Sequence, residues 1–206
     1  MIAIMDYGVG NLFSVEKAFL FLGADAVVTN EPAVLRRAEK IVLPGVGAFG
    51  DCMKNLRASG MIPVLEERVK GGVPLLGICV GLQILFEGSD ESPEAEGLGF
   101  FRGRVRKIRA DGLKIPHMGW NSIEAKQRAQ MDLFAGLPEN PFVYFVHSYH
   151  AVPEDEGIVT ATADYGERLT AAVAKGNICA TQFHPEKSGD VGLQIIKNFV
   201  DGGNAA

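Results

Sequence analysis

Three residues have the types and settings for nucleophilic chemistry: Cys79, His184 and Glu186. Cys79 stands between Gly77 and Gly81, in the order Gly-x-Cys-x-Gly, at the end of the apolar run 74–78. That is the cysteine form of the nucleophile elbow, a tight strand-to-helix turn that pushes one side chain out above a sheet. Glycines suit it because the turn is strained and a β-carbon on either side collides with its neighbours. Residues 82–86 continue at helical period, which puts Cys79 at a helix N-terminus, where partial positive charge favours thiolate. The Val80 amide is then free to donate to a developing oxyanion. The same stretch also fits a buried structural cysteine.

A base is offered far along the chain, where the strand-like run 178–182 leads into His184-Pro185-Glu186. Pro185 holds His184 in the extended region. Residues two apart in an extended chain project to one side, so imidazole and carboxylate can enter one cleft. If the strands ending at Ile78 and Gln182 are neighbours, thiol, base and orienting carboxylate form a triad. His117, His147 and His150 are rival bases; the carboxylate at a useful offset and the strand terminus favour His184.

Two glycine-rich loops sit ahead of these groups. Gly8-Val9-Gly10 lacks the third glycine of a dinucleotide loop, since Phe13 stands there, and lacks a P-loop lysine, so nucleotide binding is rejected. A tight connection and a surface loop that meets a partner both fit it. The loop 44–50, with Gly45, Gly47 and Gly50, fits either a flexible turn or a loop that aims backbone amides at an oxyanion. The acidic stretch 87–97 reads as a solvated loop, with Glu91 the candidate for binding a substrate ammonium group.

Composition narrows the class. A chain of 206 residues is long enough for one well-buried domain, residues 1–206. A net charge of −5 without a long basic run points away from nucleic acid and anionic membranes. Cys52, Cys79 and Cys179 are odd in number and form no CxxC pair, which argues against a disulfide framework and a zinc site. Reduced thiols fit a cytoplasmic protein. No basic segment precedes the first apolar run and no run reaches membrane-spanning length, so neither a signal peptide nor a span is expected.

The elements that must hold these groups alternate. Strands are expected at 2–5, 26–29, 40–43 and 74–78. Helices are expected at 12–22 with Asn11 as N-cap, at 32–37 opening on Pro32, and at 51–59 and 61–70. Such alternation predicts a parallel sheet with right-handed crossovers and a ligand crevice beyond the carboxyl ends of the strands. From residue 100 the texture becomes β-rich. The run 102–109 reads as an edge strand or hairpin with a solvated basic face, and 142–146, 158–163, 169–174 and 178–182 as strands. Residues 115–121, holding His117 and the sole tryptophan, read as a packing turn, or as a docking face if exposed. A helix over 189–199 with Ser188 as cap closes the chain. The fold class is therefore α/β: a twisted, central, mostly parallel sheet flanked by helices, with antiparallel strands added in the C-terminal half.

The sequence resembles the class I, triad-type glutamine amidotransferases. The residues that carry this are Gly77-Ile78-Cys79-Val80-Gly81-Leu82-Gln83 and Gln182-Phe183-His184-Pro185-Glu186. It is more closely similar to the glutaminase subunits of imidazole glycerol phosphate synthase, through Asp6-Tyr7-Gly8-Val9-Gly10-Asn11, Pro44-Gly45-Val46-Gly47, Pro116-His117-Met118-Gly119-Trp120-Asn121 and Phe145-Val146-His147-Ser148-Tyr149. One departure is Val80-Gly81-Leu82 where Leu-Gly-Met is usual, an apolar exchange.

The resemblance implies a class I amidotransferase-like fold over the whole chain. It implies that Cys79 attacks the side-chain amide of L-glutamine, with His184 and Glu186 as base and orienting carboxylate. Backbone amides at Val80 and from the loop Gly45-Val46-Gly47 would hold the oxyanion. Gly45, Gln83, Glu91, Ser148 and Tyr149 would form the glutamine pocket. It implies a (β/α)8-barrel cyclase partner in a heterodimer of histidine biosynthesis, met by Gly10, Asn11, Met118, Trp120 and Lys187, and no metal or organic cofactor. A glutaminase serving another synthase, a γ-glutamyl hydrolase active alone, and an interaction domain with a retired site are the rival readings.

Overall fold

The computed structural model describes residues 1–126 and 132–202. The first half builds β1 (Ile2–Met5), α1 (Leu12–Phe21), β2 (Ala26–Thr29), α2 (Pro32–Arg37), β3 (Lys40–Gly45), α3 (Phe49–Ala58), α4 (Ile62–Lys70), β4 (Leu75–Cys79) and α5 (Val80–Gln83). The second half builds β5 (Gly88–Ser89), β6 (Gly103–Lys107), β7 (His117–Ser122), β8 (Glu124–Ala125), β9 (Phe142–His147), β10 (Tyr149–Pro153), β11 (Val159–Asp164), β12 (Arg168–Lys175), β13 (Ile178–Thr181) and α6 (Gly189–Asp201).

Eight strands form one sheet in the order β2-β1-β3-β4-β13-β12-β11-β8. The five from β2 to β13 run parallel, and β12, β11 and β8 join antiparallel. β1, β3, β4 and β13 are buried at every position, as strands covered on both faces must be. Right-handed crossovers sort the helices. The step from β1 to β2 runs opposite to the steps toward β3 and β4, so α1 falls on one face and α2 and α4 on the other. Packing agrees: α2 meets α4, and α1 meets the closing helix α6. Phe19 and Phe199 meet edge to face at 6.4 Å where α1 and α6 touch. Among the described residues no helix is long and apolar enough to cross a membrane.

Several local expectations are corrected. The helix expected over 82–86 is only α5, four residues long. The carbonyls of Ile84, Leu85 and Phe86 instead accept from the amides of Leu98, Phe101 and Gly99, so the returning loop competes with helix propagation. The basic run is no edge strand: β6 is the middle of a second sheet, β10-β6-β5. Residues 115–121 are not a turn, because β7 pairs antiparallel with β9 from His117↔His147 to Ser122↔Phe142. No strand is expected where β5, β8 and β10 lie. Asn11 does cap α1, accepting from the Ser14 amide at 3.4 Å. Ser188 does not cap α6 with its side chain; its hydroxyl donates to the His184 carbonyl at 2.6 Å and accepts from the Tyr144 amide at 2.9 Å.

Candidate active site

The carboxyl ends of three adjacent strands bring the chemistry together. β4 pairs with β3 and with β13, with Gly45 opposite Cys79 and Thr181 opposite Ile78. Cys79 therefore emerges between the loop after β3 and His184 after β13. Its backbone has φ 56° and ψ −112°, a left-handed conformation for a residue with a side chain. Such strain costs roughly 1–3 kcal/mol and persists only where surrounding packing enforces it. The enforcement is visible in the flanking glycines. A β-carbon at Gly81 would lie 1.9 Å from the Leu43 carbonyl oxygen, and one at Gly77 would lie 3.0 Å from the Gly81 carbonyl oxygen.

His184 Nδ1 and Glu186 Oε1 are 2.8 Å apart, with both side chains almost wholly buried. Pro185, Glu186 and Lys187 form a single 3-10 turn, which supplies the bend two neighbouring side chains need in order to meet. Burial works against the imidazolium. Hydrogen bonding and charge from Cys79 and Glu186 outweigh it and lift the ring from 6.5 to about 10. Glu186 occupies Nδ1, which leaves Nε2, without a hydrogen-bond partner among the described residues, as the nitrogen available to the thiol.

The other thiols differ. Burial pushes Cys52 up to about 11 and Cys179 higher still, which keeps both protonated near neutral pH. The rival histidines differ too. Burial lowers His117 to about 4 and His147 to about 3, and it also lowers His150, which faces Glu167 at 3.8 Å. All three are neutral imidazoles near neutral pH and carry no imidazolium proton.

A cavity of about 280 Å³ opens over Cys79, a volume suited to an amino acid. Val46, Gly47, Val80, Gln83, Glu91, Ser148, Tyr149 and His184 line it, as does His147. Gly45 does not. It lies beneath the elbow, where a β-carbon would come within 2.8 Å of the Gly81 nitrogen and 3.0 Å of the Tyr7 hydroxyl, so it makes room rather than contact. Glu91 is tied down at the rim, accepting from the Phe49 amide at 2.8 Å. As the first residue of α5, Val80 has an amide without an intrahelical acceptor. A four-residue helix carries a small dipole, so the expected help from the helix N-terminus loses most of its weight.

Sequence reasoning missed three residues that act here through hydrogen bonds. The Gln182 side-chain amide donates to the Cys79 sulfur at 3.8 Å. The Tyr7 hydroxyl donates to the Pro44 carbonyl at 2.5 Å, and the Cys52 thiol to the Val46 carbonyl at 3.4 Å, so both carbonyls flanking Gly45 are held. Only the position of Gln182, two residues before His184, offered a signal.

The residues expected at a docking face also lie near one another. Met118 and Trp120 are 62% and 56% exposed on β7. A β-carbon at Gly189, two residues beyond the exposed Lys187, would lie 3.9 Å from the Trp120 ring. α1, which follows Gly10 and Asn11, packs on the same Pro185–Lys187 turn. Asn11 spends its side-chain oxygen on the helix cap.

Known proteins give the context. The family model for class I glutamine amidotransferase matches residues 3–202. The imidazole glycerol phosphate synthase subunit HisH of Syntrophotalea carbinolica is 52% identical over 207 residues, covering 98% of this chain and all of that one. The corresponding subunit of Thermosynechococcus vestitus is 50% identical, covering 97% and 95%. Among solved structures, a glutamine amidotransferase superposes with TM-score 0.74 at 23% identity, covering 96% of this chain and 98% of that one. The PurLQS structure from Thermotoga maritima superposes with TM-score 0.73 at 20% identity, covering 96% of each. At such identities these two speak for the fold alone. A family match over nearly the whole chain and relatives identical at half their positions carry more, and on them the chain belongs to the class I glutamine amidotransferases, among the HisH subunits of imidazole glycerol phosphate synthase.

Proposed function

We propose that Cys79, His184 and Glu186 carry the glutamine hydrolysis of this family and that the ammonia passes to a cyclase subunit bound at the face of Met118 and Trp120. The observation that supports it most is the strained Cys79 turn beside a buried His184–Glu186 pair at 2.8 Å. The Cys79 thiolate adds to the side-chain amide carbon of glutamine. Negative charge gathers on the former carbonyl oxygen, next to the Val80 amide and the loop at Val46 and Gly47. One such donor is worth roughly 3–4 kcal/mol of barrier.

His184, held as imidazolium, gives its proton to the departing nitrogen, and the C–N bond breaks to release ammonia. A thioester remains. Acylation removes the negative sulfur that helped raise His184. The ring then becomes a better base, takes a proton from water, and hydroxide displaces the sulfur to give glutamate. Glu91 at the rim supplies a carboxylate for the substrate ammonium group, and Gln83, Ser148 and Tyr149 complete the pocket.

Free ammonia in neutral water becomes ammonium, which is not a nucleophile. A shielded route into a partner keeps it reactive, which suits a subunit of a synthase. The partner is a (β/α)8-barrel cyclase in a heterodimer, met by Gly10, Asn11, Met118, Trp120 and Lys187. It yields imidazole glycerol phosphate and an aminoimidazole carboxamide ribotide in histidine biosynthesis. The whole chain, residues 1–206, acts as one amidotransferase domain, since the main sheet draws strands from both halves.

The test compares synthesis from glutamine and from added ammonia in the assembled synthase. Cys79→Ala should abolish the first and spare the second; loss of both contradicts this division of labour.

A further inference from the structure

A second polar arrangement reaches the Cys79 sulfur without passing through His184. Its outer end is Asn121 on β7, fixed by backbone groups. Asn121 Oδ1 accepts from the Ser122 amide at 2.9 Å and Nδ2 donates to the Asp164 carbonyl at 2.9 Å. The other Nδ2 hydrogen meets His117 Nε2 at 3.3 Å, so that ring nitrogen accepts. His117 Nδ1 then carries the proton and donates to His147 Nε2 at 3.0 Å. At the inner end His147 Nδ1 faces the Tyr149 carbonyl at 2.9 Å. A carbonyl only accepts, so here too Nδ1 carries the proton and Nε2 accepts. Both ends dictate the same Nδ1–H form for both rings. His117 is further clamped between Phe145 and Tyr165, with ring centroids at 4.6 and 4.1 Å.

The chain of bonds continues past Tyr149. Its carbonyl has two lone pairs, and Gln83 Nε2 takes the second at 2.9 Å. The other hydrogen of that amide goes to Gln182 Oε1 at 3.0 Å, which turns Gln182 Nε2 toward the sulfur. Each link fixes the orientation of the next, so a buried network of this kind is rigid as long as it is satisfied throughout.

We infer that Asn121, His117 and His147 are positioning residues: a tautomer-locked relay that, through the Tyr149 carbonyl and the Gln83 and Gln182 amides, holds the Cys79 sulfur in register with β7. This rests on Cys79 being the nucleophile. The strand gives the relay a purpose. Side chains alternate along β7, so His117 and Asn121 share one face while the exposed Met118 and Trp120 occupy the other. A body seated on Met118 and Trp120 bears on the same strand whose inner face orders the glutamine pocket.

The test is nitrogen NMR of the imidazole rings in the full-length chain at neutral pH, read with the rate of Cys79 alkylation and kcat/KM for glutamine in the assembled synthase. Both His117 and His147 should be Nδ1–H; either ring found as Nε2–H overturns the relay. Asn121→Asp offers His117 an acceptor in place of a donor. It should drive His117 to Nε2–H, displace the His147 proton in turn, and lower alkylation and kcat/KM about tenfold, the loss of one net hydrogen bond. A changed His117 with unaltered His147 and unaltered rates overturns the inference. His117→Phe keeps the stacked ring and removes both nitrogens, so it must slow alkylation even if Asn121→Asp fails to fold. Hydrolysis that survives Cys79→Ala removes the nucleophile reading instead, and leaves the tautomers as measured.

Discussion

Replacing Glu186 by Gln tests the electrostatics of the site with almost no change of shape. The carboxylate binds His184 through Oε1 at 2.8 Å, while Oε2 has no hydrogen-bond partner among the described residues. An amide therefore has two poor choices. It can keep its oxygen on Nδ1–H and bury an unpartnered NH2, or turn the NH2 toward Nδ1 and force the ring into the opposite tautomer. The floor of the loss is the step from a charge-assisted to a neutral hydrogen bond, about 1–1.5 kcal/mol. The ceiling is the Coulomb attraction across that distance, about 6 kcal/mol at an effective dielectric of 20. Glu186 is among the groups that raise His184, so the His184 pKa should fall by at least about one unit. Glutamine hydrolysis should drop about 10–100-fold in kcat, and the pH profile of the His184 ring, followed by NMR, should move toward acid. An unaltered profile with an unaltered kcat refutes the assignment of Glu186 as the group that orients and charges His184.

Two further outcomes follow from packing and burial. Gly81→Ala drives a β-carbon into the Leu43 carbonyl and should cost at least about 3 kcal/mol, lowering the melting temperature by about 10 °C; Gly112→Ala, at positive φ but in open space, should cost only about 1 kcal/mol, and equal losses contradict the clash. His117 and His147 have folded pKa values of about 4 and 3 against 6.5 unfolded, so the unfolded chain binds protons that the native one refuses. Their stabilisation is intact above pH 6.5 and fades as pH falls toward 4 and 3, by up to about 1.4 kcal/mol per ring and pH unit. His184 runs the other way, full below 6.5 and lost as pH rises through about 10. A urea midpoint that fails to fall between pH 6.5 and 4.5 contradicts the neutral, buried pair.

The parallel half of the fold was legible because each strand is apolar, brief and followed by an amphipathic helix, and the crevice rule then located the site. Cys79 and His184 could be paired from sequence because Cys79 closes β4 between two glycines and His184 follows β13 beside a proline. What sequence hid depends on partners distant in the chain. α5 stops early because the amides of Leu98, Gly99 and Phe101 claim the carbonyls of Ile84, Phe86 and Leu85, which a longer helix would use. β6 looked like an edge because its basic residues alternate outward, yet β5 and β10 cover both its sides. Gly45 was assigned to the pocket by motif, but the register with Cys79 puts it under the elbow. The His117–His147 bond joins residues 30 apart on paired strands, and no spacing rule reveals it.

The most direct measurement is intact-protein mass spectrometry on acid-quenched samples mixed with glutamine. The account predicts a transient adduct with the mass of one γ-glutamyl group, mapped to the peptide holding Cys79, more persistent in His184→Ala and absent in Cys79→Ala. Steady ammonia release with no adduct at any quench time and undiminished turnover in Cys79→Ala contradicts it.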